Sequence, residues 1–368
     1  GDQYNQVGSD VLTPIGNIDI SAKKVDVVEA REISHQTTEQ ILVRSGLDLG
    51  ISSVVSSTLQ NANKQIKAAS QTSDDRMKLL AASNATANLK MAADALESNE
   101  IQVVLGFGQS NGQSYTASQT DTARNSTLQA GGHIHIQASG GGDSSNLTVQ
   151  GSDVSGREVK LVADNAVNLN AAQNVNMQNS HNENTSSSMG VAALLSSKGE
   201  SLGVNASASR GNGHSYGLDI TNSNTHIVGA ESVTIVSGGD TTLKGATVEG
   251  KQVNLNAKSN LNIVSLQDTS TYIEKNQQIG VSALLGSNLS GSVNVAKVDI
   301  QNNLSNVTEQ SAIKAGDGGF TVTVQGDTNL LGGAITSTQA AIDAKQNTFQ
   351  TGGTLSTTNI QNKANYDA

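Results

Sequence analysis

The stretch GATVEGKQVNLNAKSNLNI at residues 245–263 restates GSDVSGREVKLVADNAVNLNAAQNVNM at residues 151–177. Gly151 falls on Gly245, Val159 on Val253 and Leu169 on Ile263, so the copies lie 94 residues apart (151 to 245). Downstream, MGVAALLSS at residues 189–197 returns as IGVSALLGS at residues 279–287, now 90 residues on (189 to 279). The four-residue change in offset marks a trimmed loop between two modules. Self-similarity at such a period constrains the architecture before any other feature does.

A shorter period runs inside the cassette. Leu147 and Val149 recur as Val167 and Leu169, 20 residues later, and Leu243 recurs as Ile263 at the same spacing (243 to 263). Apolar and polar residues alternate in each run, which is the period of a strand. Gly, Asp and Asn punctuate them at Gly151, Gly156, Asp164, Asn165, Gly245 and Gly250. A strand-turn unit repeating every 20 residues or so predicts a parallel β-helix or solenoid, whose coils bury Val, Leu and Ile only by stacking. Asn168, Asn170, Asn254 and Asn256 then point outward.

Composition agrees with this fold class. The 368 residues include 37 Gly, one Pro, no Trp and only 2% aromatics. A narrow interior filled by aliphatic ladders has no need of large rings. The formal net charge of −10, with no cluster of Lys and Arg, argues against nucleic acid as a partner. With no Cys there is no disulfide, thiol nucleophile or Cys-based zinc site. Absence of Cys suits a chain threaded through a secretion pore, and composition is equally compatible with a cytosolic protein that happens to lack Cys. No apolar run is long enough for a transmembrane helix. The start Gly1-Asp2 carries neither an initiator Met nor a signal peptide and reads as an excised fragment.

Along the chain, the expected organisation is N-terminal solenoid coils over 1–51 and an inserted helical hairpin over 52–98. Solenoid with the first cassette covers 99–187, followed by a β-hairpin excursion over 188–224. Solenoid with the second cassette follows over 225–277, then a second β-hairpin excursion over 278–303 and C-terminal coils over 304–368. The helical expectation rests on Val55, Leu59, Ala62, Ile66 and Ala69, then Met77, Leu80 and Ala81, at the 3.6-residue period. Thr72-Ser73-Asp74-Asp75 between them is a helix start signal. Its polar face is mixed in sign, which favours a cover for the solenoid edge over a membrane element.

No catalytic constellation emerges, and no enzyme, cofactor or metal site is expected. His133 and His135 face the same side of a strand but lack a third ligand nearby. His35, His181, His214 and His226 have no Asp or Glu at ligand spacing. Asp143, Asp153, Asp164 and Asp240 sit beside Gly, Ser or Asn and read as turn formers. β-Helices do carry glycan-active enzymes, and that reading would require carboxylates aligned in a groove on one solenoid face.

The hairpins carry the functional expectation. Val191, Ala193 and Leu195 are followed by Leu202, Val204 and Ala206, and Val281, Ala283 and Leu285 by Leu289, Val293 and Val295. Alternating apolar residues of this kind are candidates for membrane insertion, although a spanning strand needs about 9–11 residues. Packing against the solenoid is the competing reading.

At these residues the chain resembles the filamentous-haemagglutinin family of two-partner secretion exoproteins, most closely effectors of the CdiA type in contact-dependent growth inhibition. The resemblance is carried by GSDVLTPIGNIDISAKKVDVVEARE at residues 8–32, the GxxVxGxxVxLxA cassettes at Gly151 and Gly245, and the GVxALL segments at Gly190 and Gly280. It spans essentially the whole chain and is similar to the second haemagglutinin-repeat region. It implies a non-catalytic region, secreted with an outer-membrane partner protein to the cell surface and held in the periplasm before delivery. It further implies association with a target cell's outer membrane while a C-terminal toxin crosses. The rival within the family is the rigid stalk of an adhesin.

Overall fold

The computed structural model describes residues 1–52, 101–196, 199–286 and 289–367. In chain order the first strands are β1 (Gln3–Val7), β2 (Asp10–Thr13), β3 (Ile18–Ala22), β4 (Lys24–Val28), β5 (Ala30–Ser52) and β6 (Ile101–Arg124). They continue as β7 (Thr127–Ala130), β8 (His133–Ala138), β9 (Leu147–Gln150), β10 (Asp153–Ala163), β11 (Val167–Asn170) and β12 (Ala172–Ser196). Next come β13 (Gly199–Ser223), β14 (Thr225–Ser237), β15 (Thr241–Lys244), β16 (Ala246–Ala257), β17 (Leu261–Val264), β18 (Asp268–Gly286) and β19 (Leu289–Asn306). The last are β20 (Ala312–Val324), β21 (Thr328–Leu331), β22 (Ala334–Ser337), β23 (Thr348–Thr351), β24 (Leu355–Thr358) and β25 (Lys363–Asp367). A five-residue helix, α1 (Gln339–Asp343), precedes β23.

Two parallel sheets hold the core. The first is ordered β1-β4-β9-β11-β15-β17-β21-β24, and the second runs β2-β7-β10-β14-β16-β20-β22 with β3, β8 and β23 paired at its side. Such parallel ladders are compatible with a β-helix. The alternation in sequence puts every second residue into a column between the sheets. Val27, Val149, Leu169, Leu243 and Ile263 form one column, each fully buried. Ile20, Ile136, Leu161, Ile235, Leu255 and Val322 form another. Each such side chain contributes about 1.5–3 kcal/mol by leaving water. The 20-residue spacing is one step along a ladder, because Leu147 pairs with Val167 and Leu243 with Ile263. The 94-residue spacing is two steps, since Val233 stands between Val159 and Val253. Asn168, Asn170, Asn254 and Asn256 are not buried, as their alternation requires.

One corner of the stack alternates between two designs. After β1, β9 and β15 the chain turns at Gly8, Gly151 and Gly245, whose φ angles are +52°, +50° and +66°. An added Cβ at Gly151 would stand 2.4 Å from the Cβ of Ala172, so only glycine fits this bend. After β4, β11 and β17 the chain instead leaves the stack as a long antiparallel hairpin. A buried hydroxyl column seals the corner. Ser126 Oγ accepts from Ser9 N (3.1 Å), Ser152 Oγ from Ser126 N (3.3 Å) and Thr225 Oγ1 from Ser152 N (3.3 Å).

The departing strands form a third sheet, ordered β25-β19-β18-β13-β12-β6-β5 and antiparallel throughout. A hairpin adds two strands, each about 4.8 Å wide, and leaves every second coil, which advances the stack by the same amount. Successive hairpins therefore hydrogen-bond side by side.

Several boundaries differ from the sequence expectation. Residues 30–52 lie in the antiparallel sheet and not in the coils expected over 1–51, because β5 pairs along its whole length with β6. The hairpin expected over 188–224 starts at Ala172. Residues 173–188 have little apolar alternation, yet β12 holds them as strand through backbone pairing with both β6 and β13. The hairpin expected over 278–303 begins at Asp268 and ends at Asn306. The helical hairpin expected over 52–98 lies outside the described residues, apart from Ser52, which ends β5.

Candidate functional site

Directly paired residues of an antiparallel sheet share a face, so the register assigns the two faces of the hairpin sheet. Val191 pairs with Leu105 and Val204, and Val204 with Leu285, which pairs with Leu289. The next row runs Leu47, Phe107, Met189, Ala206 and Ala283. Below it Ala208 pairs with Val281 and Val281 with Val293, then Ile279 with Val295. Toward the tip Ala193 pairs with Leu202 and Val103, and Leu195 with Ile101. The apolar positions singled out in sequence thus fall into one band on β12, β13, β18 and β19, continued by Leu105 and Phe107 of β6. Its lower rows turn polar toward β6, where Ser187 and Gln109 follow Ala208, and Arg210, Thr185 and Asn111 follow Ile279.

The band is exposed. Leu202 is 72% accessible, Val293 and Val295 71% and Leu47 83%, and Phe107, Met189, Val191, Val281 and Leu285 are all about half accessible or more. Val204 is exposed, Ala206 is intermediate and Ala283 is exposed. Farther from the tip a polar row crosses the same face: Glu39, Tyr115, His181, His214, Lys275 and Asp299.

The opposite face has different chemistry. From Gly106 to Thr122 every second residue of β6 is Gly, Ser or Thr. Hydroxyl pairs bridge the strands there: Ser186–Ser209 at 2.8 Å, Ser188–Ser207 at 2.7 Å and Ser282–Ser292 at 2.8 Å. The sheet curls toward this face. A groove of about 580 Å³ is lined by Thr120, Asn176, Asp219, Ser270 and Leu304, one residue from each of five successive strands. Burial is consequently inverted: Gly106, Gly211 and Gly213 are buried while Leu105 and Phe107 are exposed.

The two GVxALL copies do not sit level. Val191 aligns through Val204 with Leu285, four residues beyond its counterpart Val281. The missing four residues lie on the ascending arm between Ile263 and Gly280, which lowers the second copy by two rows.

The remaining titratable candidates divide. Asp143 lies in a 3-10 turn (Gly142–Ser144), and Asp164 accepts from Gly140 N (2.8 Å). Asp240 accepts from Asn260 N (2.9 Å), which holds its carboxyl below the usual range. These three are turn residues, as expected. Asp153 is not: it opens β10 and meets His226 Nδ1 at 2.8 Å, while His226 Nε2 lies 3.2 Å from both carboxylate oxygens of Glu309. The hydrogen bond to Asp153 raises the His226 pKa to about 9, aided by Glu309 and opposed by partial burial. Sequence gave no sign of this trio, whose members are 73 and 83 residues apart. His133 and His135 do share a face, and His133 Nε2 lies 3.3 Å from Asp19 Oδ1. Burial, then the Lys160 ammonium, lower the pKa of His135. Among the described residues no three His, Asp or Glu side chains are arranged to hold a metal. No described helix is long and apolar enough to cross a membrane.

The Hemagglutinin repeat family matches residues 105–281, from β6 through most of β18. "Toxin CdiA" of Escherichia coli is 32% identical over 386 residues, covering all of this chain and 12% of the relative. "tRNA nuclease CdiA" of Yersinia mollaretii is 32% identical over 392 residues, covering all of this chain and 13% of the relative. "Deoxyribonuclease CdiA" of Dickeya dadantii is 27% identical over 378 residues, again all of this chain and 11% of the relative. The chain therefore spans about an eighth of the length of the first two. No solved structure matches it. This chain matches along its whole length relatives whose printed toxic activities differ, and the family match takes in both parallel strands and strands of the hairpin sheet. The chain is a haemagglutinin-repeat region of the filamentous-haemagglutinin and CdiA type.

Proposed function

We propose that this chain is a non-catalytic segment of a contact-dependent growth inhibition exoprotein whose hairpin sheet associates with the target cell's outer membrane and aids delivery of a C-terminal toxin. The parallel ladders act as a solenoid scaffold that sets the hairpins side by side. In this reading the protein is secreted through an outer-membrane partner, retained in the periplasm and then displayed at the cell surface.

The inverted burial of the hairpin sheet carries the proposal. A soluble sheet turns its apolar face to a core, whereas a membrane strand turns it to lipid and its polar face inward. From Ile279 to Leu285 the band rises roughly 20 Å at about 3.4 Å per residue, close to the band of about 25 Å on outer-membrane barrels. The row from Glu39 to Asp299 then lies about 14 Å below Ile279, outside the band. Candidates for insertion are Val191, Ala193, Leu195, Leu202, Val204, Ala206, Val281, Ala283, Leu285, Leu289, Val293 and Val295.

The chain lacks Cys, so single labels report cleanly. A polarity-sensitive dye on Val293→Cys should shift to the blue with outer-membrane-lipid liposomes, while the same dye on Ser292→Cys should not. Co-flotation and dye leakage should accompany the shift. A chain that stays at the bottom of the gradient, with both labels unchanged, would leave the adhesin stalk as the better reading.

A further inference from the structure

We propose that residues 307–310, the strap returning hairpin β18–β19 to the coil stack, are clamped shut by His226 and open when that side chain loses its charge. The inference concerns fastening of the hairpin to its scaffold and holds whether or not the sheet enters lipid.

The clamp joins three chain segments. Asp153 opens β10, His226 opens β14 on the adjoining coil, and Glu309 sits in the middle of the strap. With both ring nitrogens protonated, Nδ1–H donates to Asp153 Oδ1 and Nε2–H to the Glu309 carboxylate. Neutral imidazole keeps only one N–H, so it cannot donate to both carboxylates at once. The backbone of His226 is fixed independently, its N–H donating to Ser152 O at 3.2 Å. The shorter contact to Asp153, 2.8 Å against 3.2 Å to Glu309, keeps the remaining N–H, so loss of charge frees the strap and leaves the coil in place.

Other groups around the ring do not compete for its proton. His226 pairs in register with Asp153 on one side and with Thr247 on the other, and Thr247 is uncharged. Among the described residues Asp153 and Glu309 are the only charged groups that bond to the ring. Beyond the strap Ser311 is fully buried and fixed, its Oγ donating to Val264 O and its N–H to Ser265 Oγ, and the rest of the strap is tied by neutral contacts or through Asp268. Val307 N donates to Asn362 Oδ1 (2.9 Å), Thr308 Oγ1 to Asp268, and Gln310 Nε2 to Gly332 O (2.8 Å). Glu309 O accepts from Asn224 Nδ2 only at 3.5 Å. His226 is the strap's one cationic partner among the described residues, and its pKa near 9 places release on the alkaline side.

A nitroxide on Gln310→Cys in the intact chain tests this, read by its mobility from pH 7 to pH 10. The immobilised spectrum should hold through neutral pH and give way to a mobile one with a midpoint near 9. His226→Gln should be mobile throughout. His226→Arg, which keeps its charge, should stay immobile past that midpoint. Glu309→Gln, away from the core, should match His226→Gln and carries the test if the latter fails to fold. A wild-type spectrum without a transition, or neutral variants as immobile as wild type at pH 7, would overturn the clamp. So would His226→Arg behaving like His226→Gln.

Discussion

The coil stack and the hairpin sheet are written in the same alternating pattern, yet they bury opposite halves of it. In β14, Val233 and Ile235 are fully buried and Thr234 between them is not. In β18, Val281 and Leu285 face out while Gly280, Ser282 and Leu284 are the less accessible set. Alternation therefore states that a strand is two-faced, and says nothing about which face meets protein. That depends on what lies opposite. The two parallel sheets offer aliphatic columns to one another, whereas the hairpins curl around their hydroxyl and glycine side and leave the apolar side without a protein partner among the described residues.

Substitutions separate the two regions by size of effect. The largest should come from Ile235→Ala, which empties part of a packed column and should cost about 2–5 kcal/mol in urea unfolding. Val293→Ala should change stability by no more than about 0.5 kcal/mol in the same assay. Equal losses would erase the distinction. Next comes Gly151→Val, which forces a Cβ against Ala172 at positive φ and should cost about 2–3 kcal/mol, read as a drop in Tm.

His226→Gln should fall below Ile235→Ala and Gly151→Val. The folded pKa of about 9 lies above the unfolded value of 6.5, so the stabilisation is complete below 6.5 and disappears as pH rises through about 9. The side chain is 38% exposed, and solvent screening trims the contribution to about 1 kcal/mol at neutral pH. Urea curves for wild type and variant should therefore differ at pH 6 and converge near pH 10. The smallest change belongs to Ser282→Ala, which deletes one exposed hydroxyl bridge to Ser292 and should cost under about 0.5 kcal/mol.

How much of this could be read from sequence depended on distance along the chain. Leu147 and Val167 are ladder neighbours, so their 20-residue spacing showed up as a repeat. The hairpin apolar positions were legible because each tip keeps its alternation within one short segment. The lower arms were not, because residues such as Asn182, Asn184 and Ser186 of β12 carry no hydrophobic signal and are held by backbone pairing, to which Ser186 adds one hydroxyl bridge. The partnership of β5 with β6 was hidden for another reason: residues 53–100 separate two arms that a local pattern cannot join. His226 looked isolated because its carboxylates come from Asp153 and Glu309, one before and one after the intervening hairpins.

The alternation of glycine corners with hairpins also constrains how such a chain can be edited by duplication or deletion. Removing one coil would bring two hairpins onto consecutive levels, four strands in the room for two. Adding one would open a gap a single strand wide, and the sheet would fall into separate ribbons. Lineages of this repeat can therefore lengthen or shorten only by a coil pair together with its hairpin. The genetic unit is neither the strand nor the coil but the whole interval from one glycine corner to the next.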